Sequence, residues 1–337
     1  ISSPFSFSFF LALHNTIHRL VGSTFYYPLL SDILVEHSNT RYINRFQHLA
    51  PDNAVKQLFR SLSPSWLAKL NLTYESTPIG TVLKKSVHEG PLRVQKALYP
   101  EGENICHTVI IHPPAGIAGG DTLQIDVAIG DECHAVLSTP SATKWYKSFK
   151  NPASQTIQFN LGKNAKLDWL PQENLFFRGA NANSFTKLNL AASASYIGWD
   201  ALMLGRHASG EEWSSGHIHL CNEIRRDGKL IWVENGHIDA QNVYSRSLPQ
   251  IGSWPVCATL LAMGPRCSNE LAEQFSEMMP WNNQLRAGIT FMPQGVLVMR
   301  AVSNDIETTR NLMIDVWTKL RPRFHDVTAQ PLRLWAS

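Results

Sequence analysis

At 337 residues and 44% hydrophobic content, the chain is globular and long enough to bury a large core in one domain or two. Thirty Lys and Arg against 27 Asp and Glu leave a formal charge of +3, and no long basic run is present, which argues against nucleic acid as a partner. The five cysteines, Cys106, Cys133, Cys221, Cys257 and Cys267, are odd in number and contain no CxxC pair; they read as reduced thiols of a cytoplasmic protein, not as a disulfide framework or a zinc ribbon.

The chain starts at Ile1, and residues 1–50 have an irregular composition that reads as an extension or a mispredicted start. Within them, Phe5 to Leu13 is apolar but only half the ~20 residues that a membrane span needs. No Lys or Arg precedes it as in a signal peptide. No membrane partner is expected. The first clear element is a short amphipathic helix in "PDNAVKQLFRSLSP", where Val55, Leu58, Phe59 and Leu62 recur at helical spacing before Ser63-Pro64 ends the run.

From Trp66 to Val256 the chain breaks into short alternating runs bounded by turn residues, the texture of strands. Asp227-Gly228, between "IHLCNEI" and "LIWVE", predicts a hairpin with a type I′ turn, because both central residues tolerate positive φ. Gly162-Lys163-Asn164 predicts a second hairpin. The stretch "HPPAGIAGGD" (112–121) is rich in glycine and proline, yet it is no phosphate loop. Gly119-Gly120 is followed by Asp121-Thr122 instead of Lys and Ser or Thr, and the glycines miss the dinucleotide spacing. The loop opens into a strand with one buried face, marked by Leu123, Ile125, Val127 and Ile129 at every second position.

Two helices are predicted near the C-terminus. One covers 269–279, with Leu271, Phe275 and Met278 on a face, Ser268 or Asn269 as N-cap and Pro280 as stop. The other covers 305–320, with Ile306, Met313, Val316, Trp317 and Leu320 on a face, Asn304 and Glu307 as a capping box and Arg321-Pro322 as terminator. A buried strand, "GVLVMRAV" (295–302), lies between them. No internal repeat of fixed period is found. The inventory is a β-dominated α+β protein, antiparallel-rich, with a small C-terminal helical patch.

The chemistry is sparse. There is no G-x-S-x-G elbow, and no other nucleophile signature stands out. "ICHTVIIH" offers Cys106, His107 and His112, ligand types suited to nickel, copper or zinc, but His107 and His112 fall on opposite faces of a strand. His217-x-His219 places two imidazoles on one strand face, either as metal ligands or as two polar residues of an exposed surface. Asp121, Glu173, Asp200 and Glu211 sit beside turn motifs, where each fits a loop cap or a surface charge as well as an oxygen ligand of a weak, hydrated cation path.

Taken in order, "GPLRVQKALYPEG" (90–102), "HPPAGIAGGD" (112–121), "TPSATKWYKS" (139–148), "WLPQENLFF" (169–177) and "LGRHASGE" (204–211) resemble the urease accessory protein UreD family, also called UreH. The resemblance covers 66–335. It implies a domain over 65–337, with 1–64 as an N-terminal extension holding the one short helix and residues 1 to about 50 without a counterpart, and a fold of stacked, β-helix-like sheets with a few helices. It implies structural roles for Gly90, Pro91, Pro100, Gly102, His112, Pro113, Pro114, Gly116, Gly119, Gly120 and Asp121. It implies the same for Thr139, Pro140, Thr143, Lys144, Pro171, Gln172, Gly205 and Arg206. Ala115 stands where glycine is common in the family.

The function implied is a non-enzymatic maturation factor that binds apo-urease and recruits UreF and the GTPase UreG. Nickel would reach urease through a tunnel in the accessory protein. No cofactor is held tightly; Ni2+ passes transiently, with Cys106, His107, Asp121, Glu173, Asp200 and Glu211 as candidate contacts along its path. The C-terminal helices would be the docking face for the UreF-like partner. The competing readings are a stand-alone nickel-binding protein, which would want denser His and Cys clusters, and an enzyme on a β scaffold.

Overall fold

In the computed structural model, residues 65–243 and 254–336 are described. The helix expected at 55–62 and the extension before it lie outside these residues. The described chain opens with an antiparallel hairpin, β1 (Leu67–Thr77) and β2 (Gly80–Glu89), and the short β3 (Arg93–Val94). It then winds in coils of one plan: a long strand in an inner sheet, a short strand, and a long strand in an outer sheet. The first coil is β4 (Ile105–Ile111), β5 (Gly116–Ile117) and β6 (Thr122–Ile129). The second is β7 (His134–Ser138), β8 (Thr143–Trp145) and β9 (Ala153–Leu161). The third is β10 (Lys166–Leu170), β11 (Asn174–Phe176) and β12 (Ala180–Leu190). A last coil runs from β13 (Ser195–Leu204) to β14 (Gly216–Arg226). Then β15 (Lys229–Asp239) folds back on β14 and enters a single turn, α1 (Ala240–Val243). The remainder is β16 (Val256–Met263), α2 (Asn269–Ser276), β17 (Leu285–Met292), β18 (Val296–Ser303) and α3 (Ile306–His325).

The outer sheet has the order β15-β14-β12-β9-β6-β1-β2, and the inner sheet runs β17-β18-β16-β13-β10-β7-β4-β3 with the short β5, β8 and β11 attached through β13. Successive coils run in the same direction, so the middle of each sheet is parallel. Antiparallel pairs flank it: β1 with β2, β14 with β15, and the β13, β16, β18, β17 series. The strand-rich stack matches the sequence reading, but the antiparallel character is confined to the flanks. Alternation reveals a half-buried strand; it carries no information on the direction of its neighbour.

For the same reason Gly162-Lys163-Asn164 is not a hairpin. It joins β9 of one sheet to β10 of the other and stacks as a corner on the turn below, with the Gly162 N–H donating to Ile129 O and the Lys163 N–H to Asp131 Oδ1. Asp227-Gly228 does form the expected hairpin, with φ of 47° and 76°. The two outer hairpins each carry a register shift, between Thr73 and Tyr74 and between Ile224 and Arg225. "HPPAGIAGGD" is the path from β4 to β6. Its Ala115 holds φ 60°, the left-handed region where glycine is at ease.

Two cores result. Between the sheets, Leu70, Leu72, Tyr74, Ile125, Val127 and Phe159 of the outer sheet meet Ala135, Leu137, Leu167 and Trp169 of the inner one. The outer sheet's other face carries polar residues, as in β9, where Ser154, Thr156, Gln158 and Asn160 alternate with buried positions. The middle of the inner sheet is covered on both faces; β7 is buried at every residue. Its second core sets Val136, Ile197, Leu260 and Met299 against Leu271 and Phe275 of α2 and Met313, Val316, Trp317 and Leu320 of α3.

The helices match expectation at their faces, except that α2 stops at Ser276 and leaves Met278 beyond it, and they differ at their ends. Ser268 caps α2, its side chain accepting from the Leu271 N–H. On α3 the cap is Asp305, which accepts from the Thr308 N–H at 2.7 Å, while Asn304 turns its amide toward Asn283 O. The helix passes through Pro322 and ends only at His325, where Asp326 adopts a left-handed conformation. Proline removes one N–H from the ladder, and the turn around it is held from outside by Arg321 and His325, both tied to Asp168 of the inner sheet.

Candidate functional site

The buried face of α3 is not purely apolar. Arg321 and His325 lie on it, each 0% exposed, among Trp317, Leu320 and Phe324. Opposite them the inner sheet supplies two more buried polar groups, His134 at the start of β7 and Asp168 in the middle of β10. The parallel register sets His134 beside Lys166, two residues from Asp168 on the same face. The turn before β4 adds Glu101.

Asp168 is the hub. Its Oδ1 accepts from Trp317 Nε1 at 2.8 Å; its Oδ2 lies 2.9 Å from His134 Nε2, 3.2 Å from His325 Nδ1 and 3.2 Å from Arg321 Nε. Arg321 extends the network by donating both terminal nitrogens to Glu101, at 2.6 and 2.9 Å, and one to Thr328 O at 3.0 Å. Glu101 Oε1 lies 2.6 Å from His107 Nε2. Burial alone would raise the Asp168 carboxyl. The facing charges of His325 and Arg321 and the hydrogen bonds of both histidines outweigh it and hold the group well below the ordinary carboxylate range. Glu101 behaves alike, with burial opposed by His107 and Arg321 and the carboxyl lowered. Burial pushes the His134 imidazole down to about 4, so it is a neutral donor at pH 7.

Among the described residues, His134, Asp168 and His325 form the one group of three or more His, Cys, Asp or Glu side chains whose ligand atoms lie within 4.8 Å of one another. Two nitrogens and a carboxylate oxygen are a donor set for zinc or nickel, and His325 Nε2 is buried without a partner. Both Asp168 oxygens, however, are already engaged by four donors, one of them a guanidinium. A dication there would have to displace Trp317 and Arg321 from the carboxylate that bonds them both inside the protein. The geometry is that of an anchor fastening α3 to the sheet.

The residues singled out in the sequence fall elsewhere, apart from His107. Cys106 is buried, its thiol raised by burial and donating to Tyr99 Oη at 3.6 Å. Asp121 accepts from the Trp66 and Ala118 N–H groups at 2.9 and 3.0 Å and so closes its own loop. His112 is half-buried, and burial lowers its pKa against the pull of Asp121. Glu173 pairs with Arg310 of α3 at 2.5 Å. Glu211 takes two bonds from Arg206, at 3.2 and 2.7 Å, and one from the Arg178 N–H. Asp200 differs. Burial raises its carboxyl above the ordinary range, its one side-chain donor is Asn174 at 2.7 Å, and it lines a cavity of about 40 Å³ with Trp169, Tyr196 and Glu223.

The hub itself escaped the sequence reading, although signals for it exist. Asp168 interrupts the apolar run Leu167, Trp169, Leu170, and Arg321 falls on the apolar face of α3 next to Leu320. A charge at such positions is buried and therefore paired.

Several motif residues act as braces. The Gln172 N–H donates to Thr139 Oγ1, Pro171 O accepts from Trp199 Nε1, Thr143 N–H donates to Glu173 O, and Arg206 stacks over the Phe177 ring at 4.4 Å. Among the described residues no helix is long and apolar enough to cross a membrane.

Residues 67–336 match the family described as UreD urease accessory protein. A protein named urease accessory protein UreD from Polynucleobacter asymbioticus is 81% identical over 289 residues, covering 86% of this chain and 99% of that protein. Its namesake from Cupriavidus metallidurans is 44% identical over 284 residues, covering 82% and 97%. The one from Bordetella pertussis is 41% identical over 277 residues, covering 81% and 98%. The chain belongs to the UreD urease accessory protein family.

Proposed function

We propose that this chain is a non-catalytic maturation factor for urease, a scaffold that binds apo-urease and, with UreF-like and UreG-like partners, delivers nickel to it in the cytoplasm. The observation that carries the reading is the family match across 67–336 together with 81% identity to a named urease accessory protein. The ionisable groups of the buried network support a scaffold role, because they are spent on one another and fix α3 to the sheet. Helices α2 and α3 are the proposed face for the UreF-like partner, and Trp281, 75% exposed just after α2, is the apolar anchor it would offer.

Of the candidate nickel contacts, Asp200 is the strongest. Asp200 lines a cavity and has no arginine partner among the described residues, which leaves its carboxylate open to a passing dication, whereas Glu173 and Glu211 are already neutralised by arginine. Nickel is cargo here, not a resident group.

The test is urease activity and urease-bound nickel in cells that carry the full urease gene set, with this chain present, deleted, or replaced by Asp200→Asn. Deletion is expected to abolish both readouts while apo-urease still accumulates. Asp200→Asn is expected to lower bound nickel while the chain still co-purifies with apo-urease. Full activity after deletion would sink the maturation reading; full nickel loading by Asp200→Asn would remove Asp200 from the path alone.

A further inference from the structure

The hairpin of β14 and β15 forms one edge of the outer sheet, and its register brings histidines of both strands together. His217 is opposite Asp239, and His219 is opposite His237, so all four side chains share one face. This is the solvent face, since Ile218 between them is buried in the core between the sheets. The pairing that matters is diagonal. His237 Nδ1 lies 3.4 Å from His217 Nε2, although the two ring centroids are 5.4 Å apart, so the facing nitrogens lean toward each other. His219 stacks flat on His237, with centroids 4.3 Å apart and planes 11° from parallel, and its Nε2 is held by Asn235 at 2.7 Å.

A separation of 3.4 Å is long for a hydrogen bond between ring nitrogens. It equals the bite of a tetrahedral metal ion, because two nitrogens at about 2.0–2.1 Å from zinc stand about 3.4 Å apart. The other nitrogen of His217, Nδ1, faces Asp239 Oδ2 at 3.8 Å. At that distance the carboxylate is beyond direct hydrogen-bond reach, and it favours a bound cation through its charge. His219, packed against His237 and pinned by Asn235, holds the second ring in place.

We propose that His217 Nε2 and His237 Nδ1 form a surface site for one divalent transition-metal ion of the imidazole-preferring class, zinc or nickel, with Asp239 lending negative charge beside it and water completing the coordination sphere. The paired histidines are His217 and His237, on different strands, not the His217-x-His219 pair that the sequence suggests. The site is exposed, free of cationic neighbours in its contacts, and independent of any route through the protein interior.

The test titrates Zn2+ alone, and in a second series Ni2+ alone, into the full-length chain by calorimetry, in parallel with the His217→Ala/His237→Ala double variant and with Asp239→Asn. The double variant is expected to lose one equivalent of bound metal while its metal-free unfolding midpoint stays that of the parent. Asp239→Asn is expected to keep the equivalent and weaken it about 2- to 5-fold. Equal stoichiometry and affinity in parent and double variant would overturn the proposal, as would a parent chain that binds neither ion.

Discussion

The protein contains two clusters of histidine and aspartate that are alike in composition and opposite in state. In one, His134 and His325 flank Asp168 beneath α3, buried and joined by Arg321 and Trp317. In the other, His217 and His237 stand with Asp239 on the open face of the β14–β15 hairpin, half-exposed and, among the described residues, with no arginine or tryptophan bonded to them. Identical ligand types therefore do different work. Where a guanidinium and an indole fill the carboxylate's lone pairs, the cluster is an internal fastening; where they are missing and the imidazole nitrogens face each other, it is open to an ion.

That contrast can be broken most sharply at its buried end. Asp168→Ala leaves Arg321 with Glu101 and Thr328 O, strips Trp317, His134 and His325 of their common acceptor, and is expected to destabilise the chain by about 3–5 kcal/mol. Urea unfolding followed by tryptophan fluorescence reads this directly. A loss under about 1 kcal/mol would show that the network does not fasten the helix.

Acid should act next in size. His134 is held at about 4 against an ordinary 6.5, so between those values the unfolded chain binds more protons than the folded one. Stability therefore falls as the pH drops through this window, by about 3 kcal/mol. Below it Asp168 and Glu101, both lowered when folded, withdraw further stability as they take up protons. Unfolding midpoints at a series of pH values test the sign, and His134→Gln should erase the upper part of the slope. The smallest effect belongs to the exposed cluster: without metal, the His217→Ala/His237→Ala variant should stay within about 0.5 kcal/mol of the parent.

Much of the fold was legible in local pattern. The alternation of Leu123 to Ile129 gives β6, Asp227-Gly228 gives its hairpin, and Ser268 gives the cap of α2, because each signal acts within a few residues. The coil repeat was not legible, for a physical reason. The inner-sheet registers pair Ile105 with His134, His134 with Lys166 and Lys166 with Ser195, and the outer ones pair Thr122 with Ser154, Ala153 with Ala182 and Ala180 with Gly216. Coil length thus changes from turn to turn, and a search for a constant period finds nothing. Pro322 misled because a terminator is judged locally while its tolerance was set by side chains bound to a distant sheet. The hub was hidden likewise, as His325 reaches Asp168 across 157 positions of sequence. Of the carboxylates put forward beside turns, Glu173 and Glu211 pair with arginine and Asp121 accepts N–H groups of its own loop and of Trp66.

The paired hairpins at the rims of the outer sheet bear on how large such an object grows. Parallel coils piled one on another have no built-in length; a flat last rung offers its free N–H and C=O groups to the next molecule, and the natural outcome is a fibre. Here both rims of the outer sheet turn back on themselves, one as β1–β2 and the other as β14–β15, and each reversal contains a bulge that skews the ladder. The outermost strand β2 also carries Lys84 and Lys85, charges that discourage a further strand from pairing there. Each rim of that sheet, among the described residues, therefore ends in a skewed antiparallel strand and not in a further parallel coil.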